Sequence, residues 1–405
     1  MKQISFIHAA DLHLDSPMAG LKTLPNSIFK RIRESTFQAL KKLTDAAIER
    51  EVDFVILAGD LFDGEDRSIK AQSRLQNEML RLKKHEIPVY AVHGNHDHLG
   101  GTWVKLEMPE NVIVFSREVE VKTLQTKSGA IVHLYGFSYP KRHVLERKIT
   151  EYQPVAGADF HIGILHGNLA GTTEHGNYAP FTVKELLEKP FDYWALGHIH
   201  KRAILVANPP IVYPGNIQGK SRKETGEKGC YCVTMTSLET KLEWIETAPI
   251  IWETASIDVQ NARSFQEIFH LCQNAVAEYR KMGKGILLIL SLKNVQLEDF
   301  KERAAFFELL ELLQENEENE DSFVWIVQIE IEEDTRITKE QHGKEGGFYQ
   351  ELFSTADQYN HQHHALAPLY EHPLGRKYAT ALSAEEQQEL VKKAENLLIS
   401  LLNRQ

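Results

Sequence analysis

A chain of 405 residues, 42% apolar and 25% charged, has room for about two or three domains of ordinary soluble composition, and neither a disordered nor a fibrous class fits it. No apolar run approaches the roughly 18 residues that cross a bilayer, and the N-terminus lacks a basic region followed by a small-residue cleavage site, so a cytoplasmic protein without a membrane segment is expected. The net charge of −11 is uneven: residues 1–250 hold 31 Lys and Arg against 30 Asp and Glu, the remainder 15 against 27, which leaves room for an anionic substrate in the N-terminal part.

Residues 4–9 read as a first strand ending in Asp11-Leu12-His13, where two polar side chains on extended backbone point to one side and reach one cation. Residues 27–50 place Ile28, Phe29, Ile32, Leu40, Leu43, Ala47 and Ile48 at helical spacing. The continuous apolar run 54–58 predicts a central strand covered on both faces, and it stops at Gly59-Asp60. A carboxylate there is costly without a partner; a metal is the economical one, a helix cap the alternative. Asp63, Glu65 and Asp66 read as solvated turn residues. A helix over 68–84 leads to a strand over 89–92 that breaks at Gly94 and delivers Asn95, His96 and Asp97, although Gly-Asn-His-Asp alone also suits a polar turn.

Residues 112–137 alternate and are punctuated by glycine, which predicts antiparallel strands. A strand over 160–165, with His161 on its face, runs into His166; after a short helix over 181–189, a strand over 191–196 feeds Gly197-His198-Ile199-His200. Lys201, Arg202, Lys220, Arg222 and Lys223 flank this region, as a rim for phosphate backbones or simply as a solvated surface. Cys230, Cys232 and Cys272 are too few and too poorly spaced for a disulfide framework or a tetrahedral zinc site, so any metal takes oxygen and nitrogen ligands.

Strands over 250–259, 286–292 and 323–332 alternate with helices over 264–282 and 298–313, a small α/β domain at the substrate entrance, with 315–321 as a solvated acidic loop. In the last part, His361, His363, His364 and His372 lack a carboxylate or cysteine partner at ligand spacing. A capping box at 383–386 opens a stripe of Leu390, Ala394, Leu397, Leu398, Leu401 and Leu402; this helix either packs on its own domain or holds a partner.

Five strand ends thus supply Asp11, His13, Asp60, Asn95, His96, His166, His198 and His200. Such a set suits Mn²⁺, Fe²⁺ or Zn²⁺, and two ions about 3.5–4 Å apart sharing Asp60 imply hydrolysis of a phosphate ester, with a non-ligand imidazole assisting the leaving oxygen. In this order the series resembles the calcineurin-like metallophosphoesterases over residues 1 to about 220. His8-Ala9-Ala10-Asp11-Leu12-His13, Gly59-Asp60-Leu61-Phe62-Asp63 and Tyr213-Pro214-Gly215-Asn216 further resemble the DNA-repair exonuclease branch, the SbcD-type nuclease subunits.

The resemblance implies an α/β fold: a four-layer αββα sandwich over 1–249, a small α/β capping domain over 250–334 and a helical tail over 335–405 that grips an SbcC-type coiled-coil ATPase. It implies two divalent metal ions, Mn²⁺ foremost, one on Asp11, His13, Asp60 and His200 and the other on Asp60, Asn95, His166 and His198, with His96 near the scissile phosphate; His96 and Asp97 are the expected catalytic residues. The expected activity is a DNA exonuclease or endonuclease acting in repair on single- or double-stranded ends, and a homodimer is compatible with it. This chain carries Asp63 where relatives often have a second catalytic histidine, and Asn216 where serine is common. A small-nucleotide phosphodiesterase shares every ligand; a non-catalytic scaffold of an ATPase complex is a third reading, against which the intact ligand set counts.

Overall fold

The computed structural model describes residues 2–16, 18, 21, 24–64, 67–171, 178–295 and 303–332 and, beyond these, residues 347, 351, 354–355, 365–366, 368, 387–388, 390–392 and 394. In chain order the elements are β1 (Gln3–Ala9), α1 (Asn26–Glu49), β2 (Phe54–Ala58), α2 (Ile69–Lys84), β3 (Val89–Val92), β4 (Val112–Val114), β5 (Glu120–Gln125), β6 (Ile131–Gly136) and β7 (Phe160–His166). There follow α3 (Val183–Leu187), β8 (Tyr193–Gly197), β9 (Ala203–Ala207), β10 (Pro210–Tyr213), β11 (Gly229–Thr236), β12 (Thr240–Glu246), β13 (Ile250–Asp258), α4 (Phe265–Arg280), β14 (Gly285–Lys293), α5 (Arg303–Gln314) and β15 (Val324–Glu332).

Two six-stranded sheets form, in the orders β12-β11-β1-β2-β3-β4 and β5-β6-β7-β8-β10-β9, and a third sheet has the order β13-β14-β15. Alternation along each strand sorts the apolar side chains into layers. Val55, Leu57, Val89 and Ala91 pack with Leu40, Leu43, Leu75 and Met79 of α1 and α2. The intervening residues Phe54, Ile56, Tyr90 and Val92 pack instead with Val132, Leu134, Ile162, Ile164 and Tyr193 of the other sheet. The far face of that second sheet, with Trp194 and Leu196, is covered by Tyr152, Phe181 and Leu186. The αββα order is therefore present, but its last layer is thin: α3 has five residues, fixed at its start by a capping box of Thr182 and Glu185, and loops supply the rest.

Two local expectations are corrected. Val112–Val114 does not open an antiparallel set; it extends the first sheet in parallel with β3, Val89 pairing with Val112, while β5 and β6 are antiparallel as expected. Within the acidic stretch 315–321, Glu317 is buried, paired with Arg280 and accepting from Val324 N at 2.7 Å, so this residue belongs to the fold rather than to solvent.

By compactness the chain divides into a unit of Met1–Ala255, Asn274–Ile289 and Leu310–Gln328 and a unit of Ser256–Gln273, Leu290–Leu309 and Ile329–Gln405. Within the first, Ile28 and Ile32 of α1 pack with Trp252, Leu287 and Phe323, and Arg31 lies over the Phe323 ring. Within the second, Val259 N donates to Lys293 O at 3.0 Å. Residues 390–392 and 394 are helical; 298–302, 383–386, Leu397, Leu398, Leu401, Leu402 and the histidines 361, 363, 364 and 372 lie outside the described residues. Among the described residues no helix is long and apolar enough to cross a membrane.

Candidate metal centre

The carboxyl ends of β1, β2 and β3 of the first sheet and of β7 and β8 of the second converge, the usual place for chemistry in sheets of parallel strands. Backbone pairing runs on past β1 and β2: Asp11 N, His13 N and Leu14 N donate to the carbonyls of Gly59, Asp60 and Leu61, each at 3.0 Å. The loop residues among these rungs are left-handed, with φ of 51° at Asp11, 41° at His13 and 50° at Asp60; separately, at the end of β8, His198 has φ 98°. Non-glycine residues are held there only where surrounding structure over-determines them, and such positions cluster at functional sites.

Ligand atoms within 4.8 Å of one another occur in the sets Asp11, His13, His200 and Asp60, His166, His198, and also in His13, Asp63, His96. In the first, the Nε2 atoms of His13 and His200 approach to 3.0 Å. In the second, Asn95 Oδ1 lies 3.1 Å from both His166 Nε2 and His198 Nδ1. Oδ2 of Asp60 stands between the two, 3.4 Å from His166 Nε2 and 3.8 Å from His13 Nε2. Asp11 accepts His198 N through both carboxylate oxygens at 3.1 Å, and His166 Nδ1 donates to Ala58 O at 3.0 Å, which turns its other nitrogen inward. Converging imidazole nitrogens and carboxylate oxygens without sulfur fit divalent ions such as Mn²⁺, Fe²⁺ or Zn²⁺.

The electrostatics agree with cation binding. Burial alone would push the Asp60 carboxyl up, but His166, His13 and His96 around it hold it well below its usual range. Burial works against charge on His166, yet Asp60 and Asp11 lift it to about 9: this pocket draws in positive charge. His13, buried and near the Lys220 ammonium, is pushed down to about 3, the neutral form that ligates.

Space is as restricted as charge. A Cβ on Gly94 would fall 2.3 Å from Asp60 Oδ1 and 2.5 Å from His166 Nε2, and one on Gly197 would fall 1.8 Å from Ala58 O. Gly94→Ala is therefore expected to displace the ligands, cost about 1–3 kcal/mol as an overpacked core does, and lower bound metal to a small fraction of the parent's. Thermal unfolding alongside metal analysis checks this; full metal content would show that the turn relaxes without moving Asp60.

Of the predicted site residues, the structure gathers Asp11, His13, Asp60, Asn95, His166, His198 and His200. His96 lies at the rim, half-buried, its N donating to Asp60 Oδ1 at 2.9 Å and its Nδ1 to Asp63 O at 3.1 Å. Asp97 is not among the converging groups. Fully buried behind the turn, it accepts from Gly94 N at 2.8 Å, Leu61 N at 3.0 Å and His93 Nδ1 at 2.8 Å. Its environment is structural rather than open to a substrate.

Three residues take parts the sequence reading missed. Asp63 is not a solvated turn residue: its carboxylate lies 3.1 Å from His13 Nδ1 and accepts Lys220 Nζ at 2.8 Å, and the His13 ring and Lys220 ammonium outweigh burial to hold it below its usual range. Lys220 correspondingly turns inward rather than joining a basic rim. Glu224 accepts His200 Nδ1 at 2.7 Å, Asn216 Nδ2 at 2.8 Å and Lys220 N at 2.7 Å; burial would raise it, but His200 and Lys220 hold it at about 2. An acidic residue standing alone among Lys220, Arg222 and Lys223 was the signal available for it. Glu65 and Asp66 lie outside the described residues.

Comparison with known proteins places this geometry. Residues 4–202 match the model of the calcineurin-like phosphoesterase family. The chain is 41% identical over 404 residues to an uncharacterized metallophosphoesterase of Bacillus subtilis, YhaO, covering 98% of both chains. The chain belongs to the metallophosphoesterases. It is a hydrolase of that family, and its strand ends carry clusters of Asp and His that could hold divalent metals. This metallophosphoesterase is also similar, at 26% identity over 299 residues, to the DNA double-strand break repair protein Mre11 of Methanocaldococcus jannaschii, covering 69% of this chain and 76% of that protein. The Mre11 protein of Methanopyrus kandleri is 26% identical over 224 residues, and the chain spans 48% of its length.

Proposed function

We propose that this metallophosphoesterase is a two-metal phosphodiesterase acting on DNA ends, with Mn²⁺ as its working metal and a coiled-coil ATPase of the SbcC type as its partner. The observation that carries the catalytic part is Asp60 Oδ2 standing between two ligand sets with the half-buried His96 at their rim. Asp11, His13, Asp60 and His200 would hold one ion, and Asp60, Asn95, His166 and His198 the other. When bound, the ions would draw charge from the phosphate oxygens as the ester is cleaved. With Nδ1 engaged by the Asp63 carbonyl, His96 presents Nε2, from which a proton can pass to the leaving oxygen. Asp97 is a positioning residue: it ties the turn carrying Asn95 and His96 to the loop after Asp60.

DNA as substrate is supported by the Mre11 relatives and by the sequence motifs of the exonuclease branch. The test is incubation of the purified chain with Mn²⁺ and end-labelled DNA, with and without the ATPase, beside a cyclic dinucleotide. Metal-dependent loss of the label, abolished by chelation, is expected. Turnover of the dinucleotide alone would transfer the same chemistry to a small-nucleotide phosphodiesterase.

A further inference from the structure

Beyond the turn that carries Asn95 and His96, residues 101–109 take no regular form, yet they are fastened in place. Gln72 of α2 donates to Val104 O at 2.8 Å and accepts from Leu106 N at 3.0 Å, and Gln76 donates to Glu107 O at 2.7 Å. These polar struts tie the segment to α2, and beside it Leu75 and Met79 of α2 and Ala91 of β3 line a cavity of about 430 Å³. Close-packed interiors seldom leave space larger than a water molecule, and this volume is that of a small-molecule site.

A cation is built into the wall. Arg67 lines the cavity and is only 9% exposed. One nitrogen of its guanidinium donates to the carbonyls of Asp97 and His98; its Nε is buried without an acceptor, and no carboxylate pairs with it among the described residues. Its Cζ lies 3.6 Å from the centre of the Trp103 ring and 5.4 Å from that of Phe62. Stacking on rings leaves the in-plane N–H groups of a guanidinium for a carboxylate, and a buried cation without such a partner is costly. Lys105 also lines the cavity, and Glu107 is the one acidic residue there, so one positive charge is left over.

We propose that this cavity is a second binding site for a small amphipathic monoanion, with a flat apolar body against Leu75, Met79, Ala91 and Trp103 and a carboxylate on Arg67. None of the gathered metal-centre residues lines it.

Calorimetric titration of the full-length chain in chelator, with naphthoate beside the neutral naphthylmethanol, tests this. One saturable naphthoate site per chain is expected, with the alcohol bound about 10–100-fold more weakly, the worth of a charge-assisted hydrogen bond. Arg67→Gln should bring naphthoate down to the level of the alcohol. Because Arg67 also holds the carbonyls of Asp97 and His98, that variant can lose stability, so Lys105→Glu is measured beside it. Lys105 is exposed, and its reversal should weaken naphthoate several-fold at an unchanged melting temperature. Equal binding of acid and alcohol, naphthoate binding that appears only with Mn²⁺, or no saturable site would overturn the proposal, as would a Lys105→Glu chain that binds naphthoate as the parent does.

Discussion

Asp60→Asn is expected to strip the centre of most of its metal and to take phosphodiesterase activity to background, a loss larger than the roughly 10²–10³ of a single electrostatic donor. The reason is position as well as charge. Its Oδ2 lies within 4 Å of an imidazole of each set, at 3.4 and 3.8 Å, and its Oδ1 accepts the His96 backbone at 2.9 Å. Asparagine preserves the shape and tolerates the left-handed backbone at φ 50°, so the fold should survive while the charge between the two cations is gone. Metal analysis after dialysis, with a melting curve, checks the result. Two ions retained per chain would take the bridge away from Asp60.

His96→Ala should do the opposite with respect to metal: both ions stay, and kcat falls by about 10²–10⁴, the usual worth of one general acid. The backbone contact from residue 96 to Asp60 does not depend on its side chain, and neither the Asp11, His13, His200 set nor the Asp60, His166, His198 set contains its ring. The ring does stand 4.9 Å from that of His13, and its distance from His13 and Asp63 would also permit it to ligate. Parallel measurement of metal content and kcat separates the roles: a variant that loses metal in step with rate would make His96 a ligand.

The core of this site was legible in the sequence because chemistry at the end of a strand leaves a local mark. An apolar run such as Phe54–Ala58 that stops at an aspartate, or Tyr193–Gly197 that stops before two histidines, announces its polar group within a residue or two. The helices α1 and α2 were likewise written in their spacing. What stayed hidden depends on contacts between distant segments. Glu224 meets His200 across 24 residues, and Lys220 meets Asp63 across 157, so no local pattern distinguishes either from a solvated side chain. Asp97 was misread for a related reason. It is adjacent to His96, but the turn sends the two side chains to different places, one to the rim and one into buried amides. The parallel pairing of Val112–Val114 was hidden because the connection from β3 contains no helix to signal a crossover.

The left-handed backbone at Asp11, His13, Asp60 and His198 also bears on how such a chain drifts under selection. Each such residue costs of order 1–3 kcal/mol that a glycine would largely spare, so the architecture gives up folding stability to keep those side chains where they are. A descendant relieved of catalysis would gain by replacing them, and its stability would rise as its ligands vanished one at a time. A chain that holds all four stands on the costly side of that trade-off.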